Sequence, residues 1–184
     1  MQIEHKISIR PLSGMPRGGD MGVFIPLDDG ALVALIDASG HGLAAYAVAQ
    51  TARNTILDST LHAPDVLLQE LDDALRGTIG AAISIARVFP GRIDFSGVGN
   101  VRASIGGKPL LQRAGVVGVR MRPPKIVEAS LPPDSWLLMH TDGVSRPTSI
   151  PHGSAETVAD KLMDRCASGS DDAGILLARW RDET

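Results

Sequence analysis

Residues 21 to 37 read MGVFIPLDDGALVALID, two apolar runs separated by Asp28-Asp29-Gly30. Asp-Gly between apolar runs is a strong hairpin signal, because a tight connection between antiparallel strands needs residues that tolerate an unusual backbone. Residues 21–27 and 31–37 are therefore expected to pair as strands. The second run stays apolar until it stops on Asp37, so a lone carboxylate terminates a strand that reads as buried. An acid placed there needs something to compensate its charge.

The rest of the chain follows the same antiparallel logic. Ile3, Ile7 and Ile9 alternate with polar residues and predict a first strand, followed by a Gly/Pro-rich loop, 12-LSGMPRGGD-20, that ends in an acid. From Gly42 to about Ser59, Ala44, Val48, Ala52 and Ile56 recur at i+4 beside Ala45 and Ala49, which predicts a helix against a sheet. Pro64 opens a second helix through Val66, Leu67, Leu71 and Leu75, stopped by Gly77. Strand patterns then dominate residues 79–141, with Gly and Pro recurring at the spacing of an antiparallel sandwich. A third helix spans SAETVADKLMDRCA (154–167), and DDAGILLARW (171–180) closes as a strand. This order fits two packed sheets with helices outside better than a parallel βαβ fold.

Composition narrows the functional classes. With 184 residues and no linker or repeat, residues 1–184 are expected to form a single domain. Only six aromatics are present, so aliphatics and alanine must fill the core. The net charge of −3 and the lack of a Lys/Arg cluster argue against a nucleic-acid partner. Cys166 is the only cysteine, which excludes an internal disulfide and a thiolate metal cluster. No apolar run is long enough to span a bilayer, so a cytoplasmic protein without a membrane partner is expected.

Aspartates recur at strand and loop ends: Asp20 after Arg17-Gly18-Gly19, Asp37, Asp142 within HTDG, and Asp171-Asp172 before the last strand. Any one alone reads as turn chemistry. Together they read differently, because Asp37 and Asp142 each end an apolar strand where a charge is costly. A divalent cation offsets that cost, and oxygen ligands without Cys or paired His select Mg2+ or Mn2+ over zinc. Two such ions about 3.5–4 Å apart activate a bridging water and clamp a phosphoryl group. The expected chemistry is metal-assisted phosphate hydrolysis.

The segments RGGD at 17–20, DASGHGLAA at 37–45, TDGV at 141–144 and DDAGILLAR at 171–179 resemble, in order, the motifs of the PPM metal-dependent protein phosphatases. Within that superfamily they are similar to the bacterial SpoIIE-type branch. The resemblance implies an α+β fold, a four-layer αββα sandwich of two antiparallel sheets flanked by helices. It also implies a phosphoserine/phosphothreonine phosphatase using manganese or magnesium, with two ions. Carried over by position, Asp37 is shared by both metals and the Ala38 carbonyl is a further ligand. Asp142 and Asp171 hold one ion, and Asp20 takes the remaining acidic position through water. Asp37 and Asp142 carry catalysis, and Asp172 ranks below Asp171. Arg17 is the candidate for substrate phosphate, although a solvated loop arginine is the simpler reading. His41 does not inherit the general-acid role of the eukaryotic relatives, because it stands four residues beyond Asp37 rather than two.

Two departures stand out. Gly174 occupies a position where the family has Thr, and Ser145-Arg146 follow the TDG motif where an acid is common. By size, the chain is most similar to stand-alone RsbX-like phosphatases, which implies phosphorylated STAS-domain stressosome proteins of the RsbS/RsbR kind as partners, in a stress-response pathway. The alternatives are an RsbU-like enzyme acting on an anti-sigma-factor antagonist and a non-catalytic phosphatase-fold binding module. A calcium-binding structural domain is disfavoured, since no D-x-D-x-D-G loop occurs.

Overall fold

In chain order the computed structural model, which describes residues 2–181, runs β1 (Gln2–Arg10), β2 (Asp20–Leu27), β3 (Gly30–Ala38), α1 (Gly42–Asp58), α2 (Pro64–Ala74), β4 (Ala81–Phe89), β5 (Gly91–Val98), β6 (Arg102–Ile105), β7 (Lys108–Pro109), β8 (Gly115–Val116), β9 (Arg120–Met121), β10 (Val127–Leu131), β11 (Leu137–His140), α3 (Ala155–Cys166) and β12 (Ala173–Arg181). The strands make two five-stranded antiparallel sheets, ordered β10-β5-β4-β3-β2 and β1-β12-β11-β6-β7, with β8-β9 as a small separate ribbon.

Three apolar clusters stack these sheets into four layers. Leu32, Ala34 and Ile36 of β3 face Ala45, Ala49, Ala52 and Ile56 of α1 and Leu67, Leu68 and Leu71 of α2. Val33 and Leu35, on the other side of the same strand, meet Met139 of β11 and Leu176 and Ala178 of β12 between the sheets. Leu138, Ile175 and Leu177 then face Val158, Ala159, Leu162 and Met163 of α3. Strand β3 is buried on both faces, which explains why LVALI is continuously apolar instead of alternating. The αββα expectation holds.

Local differences have local causes. Ala44 is exposed, and the buried face of α1 runs through Ala45, Val48, Ala49, Ala52 and Ile56. The hairpin strands start one residue earlier than the apolar runs, and their register pairs Leu27 with Gly30. Gly30 is therefore a strand residue, required because a side chain there would run into the Val88 carbonyl of β4. Ser154 caps α3 by accepting from the Thr157 amide at 3.3 Å. The two-residue strands β7, β8 and β9 carry no periodicity long enough to read from sequence.

Candidate functional site

The two sheets bring their acidic ends to one edge of the sandwich. Antiparallel register in the first sheet sets Asp20, which opens β2, directly opposite Asp37 near the end of β3. In the second sheet β11 runs straight into Thr141-Asp142, and Asp171-Asp172 lead into β12 beside it. Thr141 ties the sheets together. Its Oγ1 donates to Asp20 Oδ2 at 2.7 Å and accepts from the Gly174 amide at 2.8 Å. A side chain at Gly174 would press on Asp20 Oδ2 at 3.0 Å, so the space is filled by the acid and its hydroxyl partner.

A cavity of about 680 Å³ opens over this edge, lined by Asp37, Asp142 and Asp171 with Ser39, His41 and Asn100. Asp142 is held by Asn100, whose Nδ2 donates to Asp142 Oδ2 at 2.6 Å. Sequence reasoning missed Asn100, because GVGN after a strand looks like any turn. Asp172 is turned the other way: it is buried and accepts from the Leu12 amide at 2.7 Å and the Gly19 amide at 2.6 Å. It clamps the RGGD loop and leaves Asp171 to face the cavity. A side chain on Gly18 would strike the Asp172 carboxylate, and one on Gly19 would sit 2.7 Å from the Ala38 carbonyl oxygen. Glycine in that loop is a requirement of close approach.

The other sequence candidates fall at different depths. Asp20, opposite Asp37 in the first sheet, is buried and is not among the lining residues. Arg17 is also absent from the wall; its guanidinium stacks over the Tyr46 ring of α1 at 4.6 Å. His41 is an exposed rim residue at the N-cap of α1 and makes no capping bond with its side chain.

The electrostatics are those of crowded acid. Among the described residues no Lys or Arg forms an ion pair with Asp20, Asp37, Asp142, Asp171 or Asp172. Burial, followed by the charge of Asp37, pushes the Asp20 carboxyl up to about 8. Burial, followed by the charge of Asp142 and then of Asp171 and Asp172, pushes Asp37 up to about 7. No three acidic, His or Cys side chains close into a finished cage among the described residues. Three carboxylates lining one cavity, with no Lys or Arg beside them, are nonetheless a donor set for a hard divalent cation.

A pH effect with a definite sign follows. Both carboxyls hold their protons more tightly folded than unfolded, so their contribution to stability is complete below about pH 4 and is lost as pH rises through about 7 and about 8. With chelator present, Tm falls as the buffer goes from acid to pH 8, and Mn2+ at the upper end restores it. Asp20→Asn flattens the chelated profile. Differential scanning fluorimetry across a pH series reads both effects.

The family model described as Stage II sporulation protein E (SpoIIE) matches residues 28–181. Among curated proteins none matches the chain by sequence comparison. Solved structures are similar over nearly the whole fold. One comes from work on the bacterial stressosome as a modular system adapted to control secondary messenger signalling, with a TM-score of 0.89 at 23% identity, covering 97% of this chain and 100% of that one. RsbX in complex with magnesium gives 0.86 at 20% identity, covering 96% and 94%. The Mycobacterium tuberculosis serine/threonine phosphatase PstP/Ppp gives 0.77 at 14% identity, covering 98% and 99%.

Proposed function

The chain belongs to the family described as Stage II sporulation protein E (SpoIIE), and from that premise we propose that it is a metal-dependent phosphatase of the PPM kind that removes phosphate from phosphoserine or phosphothreonine on STAS-domain proteins of a stressosome-type complex, in the manner of RsbX. The observation that carries the reading is the set of carboxylates Asp37, Asp142 and Asp171 lining one cavity, contributed by both sheets with no Lys or Arg among the lining residues. RsbX and the stressosome-derived structure support the substrate class through matches that span almost the full length of both chains. A cytoplasmic location goes with such a substrate.

In this reading Asp37 and the Ala38 carbonyl hold the metal from the end of β3. Asp142 and Asp171 hold it from the second sheet, and Asp20 takes part through water. Two Mg2+ or Mn2+ ions held there would supply an activated water and neutralise the phosphoryl oxygens. The chain's own residues set the geometry. Asn100 fixes the Asp142 carboxylate by its bond to Oδ2, and Thr141 fixes Asp20 against the end of β12. Asp172 holds the RGGD loop so that Gly19 lies against the Ala38 carbonyl. Arg17 is assigned to substrate phosphate only if it leaves its stack on Tyr46.

Two phosphorylated STAS substrates test the assignment side by side: a stressosome scaffold protein and an anti-sigma-factor antagonist. The RsbX-like reading predicts faster phosphate release from the scaffold protein. A preference for the antagonist replaces it with the RsbU-like reading, and binding of either without turnover replaces it with a binding module.

A further inference from the structure

The outer face of the second sheet is only partly covered by α3. Beyond that helix, β6, the end of β11 and residues 146–153 enclose a cleft of about 890 Å³, larger than the catalytic cavity. Its charge is opposite to that of the catalytic cavity. Arg102 and Arg146 are exposed on its wall, and neither has a carboxylate partner among the described residues. The third arginine, Arg179, is already used: it pairs with Glu4 at 2.8 Å, stacks over Trp136 at 4.0 Å and donates to the Gly153 carbonyl at 3.0 Å. The one acid on the wall, Asp134, lies 3.4 Å from Arg181. On a chain of net charge −3, two uncommitted guanidinium groups on one concave wall form a local basic feature.

Position gives the feature meaning. Arg102 stands two residues beyond Asn100, and Arg146 four residues beyond Asp142, the bonded pair on the catalytic wall. Two and four residues of chain span at most about 7 Å and about 14 Å. Arg102 also stands at the start of β6 paired with His140, the last residue of β11 before Thr141-Asp142. An extended peptide advances about 3.3 Å per residue. A protein with its phosphoserine in the acidic cavity therefore brings residues three or four positions away within reach of these two arginines. Guanidinium forks suit carboxylates and phosphate oxygens.

We propose that Arg102 and Arg146 form a docking subsite for an acidic segment flanking the phosphorylated residue of the protein substrate. The proposal rests on the phosphatase reading and adds what that reading lacks, a basis for choosing among phosphoproteins. Opposite charges divide the two cavities by role: the metal-bearing one takes the phosphate, and the basic cleft takes the acidic flank.

The test uses the full chain with Mn2+ and a matched pair of short phosphoserine peptides, one flanked by Glu and the other by Gln. Two exposed charge pairs correspond to roughly a two- to thirtyfold preference. Wild type is expected to show a KM lower by that factor for the Glu peptide, with similar kcat, and the preference shrinks as salt rises. Arg102→Ala with Arg146→Ala brings the KM ratio to about one. Arg102→Glu with Arg146→Glu inverts it, and Arg→Lys at both positions retains part of it. Fluorescence anisotropy with the same labelled peptides gives the affinity ratio without turnover, so failure of hydrolysis and failure of docking are separate results. Equal affinity of wild type for the two peptides, or an unchanged ratio in the double Ala variant, overturns the proposal.

Discussion

Asp37→Asn is expected to abolish metal-dependent phosphate release, by about a thousandfold or more, while leaving the fold intact. The side chain sits where β3 ends and contributes a carboxylate to the cavity wall from the first sheet, opposite Asp142 and Asp171 from the second. Asparagine has nearly the same shape and loses the charge. A second consequence separates a catalytic role from a structural one. Since burial and neighbouring acids push Asp37 up to about 7, ionising it costs the metal-free fold stability. At pH 8 with chelator the variant melts higher than wild type, and with Mn2+ wild type gains stability that the variant does not. Paired melting curves and a phosphate-release assay check both. A variant that keeps full activity removes Asp37 from the site.

Gly143→Ala carries the next largest effect, although Gly143 contributes no functional group. A side chain at this position would overlap the Asp172 carbonyl, where the turn after Asp142 packs on the chain entering β12. Either segment must move, and both carry site residues. Overpacking of this kind costs about 1–3 kcal/mol, which lowers Tm by roughly 2–12 °C in a chain of this size. Misplacing Asp142 or Asp171 by about 1 Å lowers kcat about a hundredfold. Melting curves and kcat are expected to fall together, in contrast to the opposed effects of Asp37→Asn. A Gly143→Ala enzyme with wild-type kcat would mean that the 171–172 turn does not set the site.

Much of this was legible before any coordinates because the signals are local. Asp-Gly between apolar runs located the hairpin, and the register seen in the structure, one residue from the expected one, sets Asp20 opposite Asp37. The four motif segments named the acidic positions, and all of them gather at one edge of the sandwich, Asp20 and Asp172 as buried supports and the others at the cavity. What sequence could not give depends on contacts between distant segments. Asn100 is 42 residues from the Asp142 it holds, and Asp172 is 153 from the Gly19 amide it accepts. Neither spacing leaves a pattern. The same holds for Gly30: the hairpin was located correctly, but its turn is Asp28-Asp29, and the reason for glycine at position 30 is the neighbouring strand. Arg17 shows the reverse failure, a motif position whose side chain is stacked on α1 and absent from the cavity wall.

The most direct test of the central claim is phosphate release from a phosphorylated STAS-domain protein by the wild-type chain, measured after chelation and again on titrating Mn2+. The account predicts no turnover in chelator, saturable activation by the metal, and no such activation in Asp37→Asn or Asp142→Asn. Turnover that persists in chelator, or none at any Mn2+ concentration with a folded protein, would contradict it.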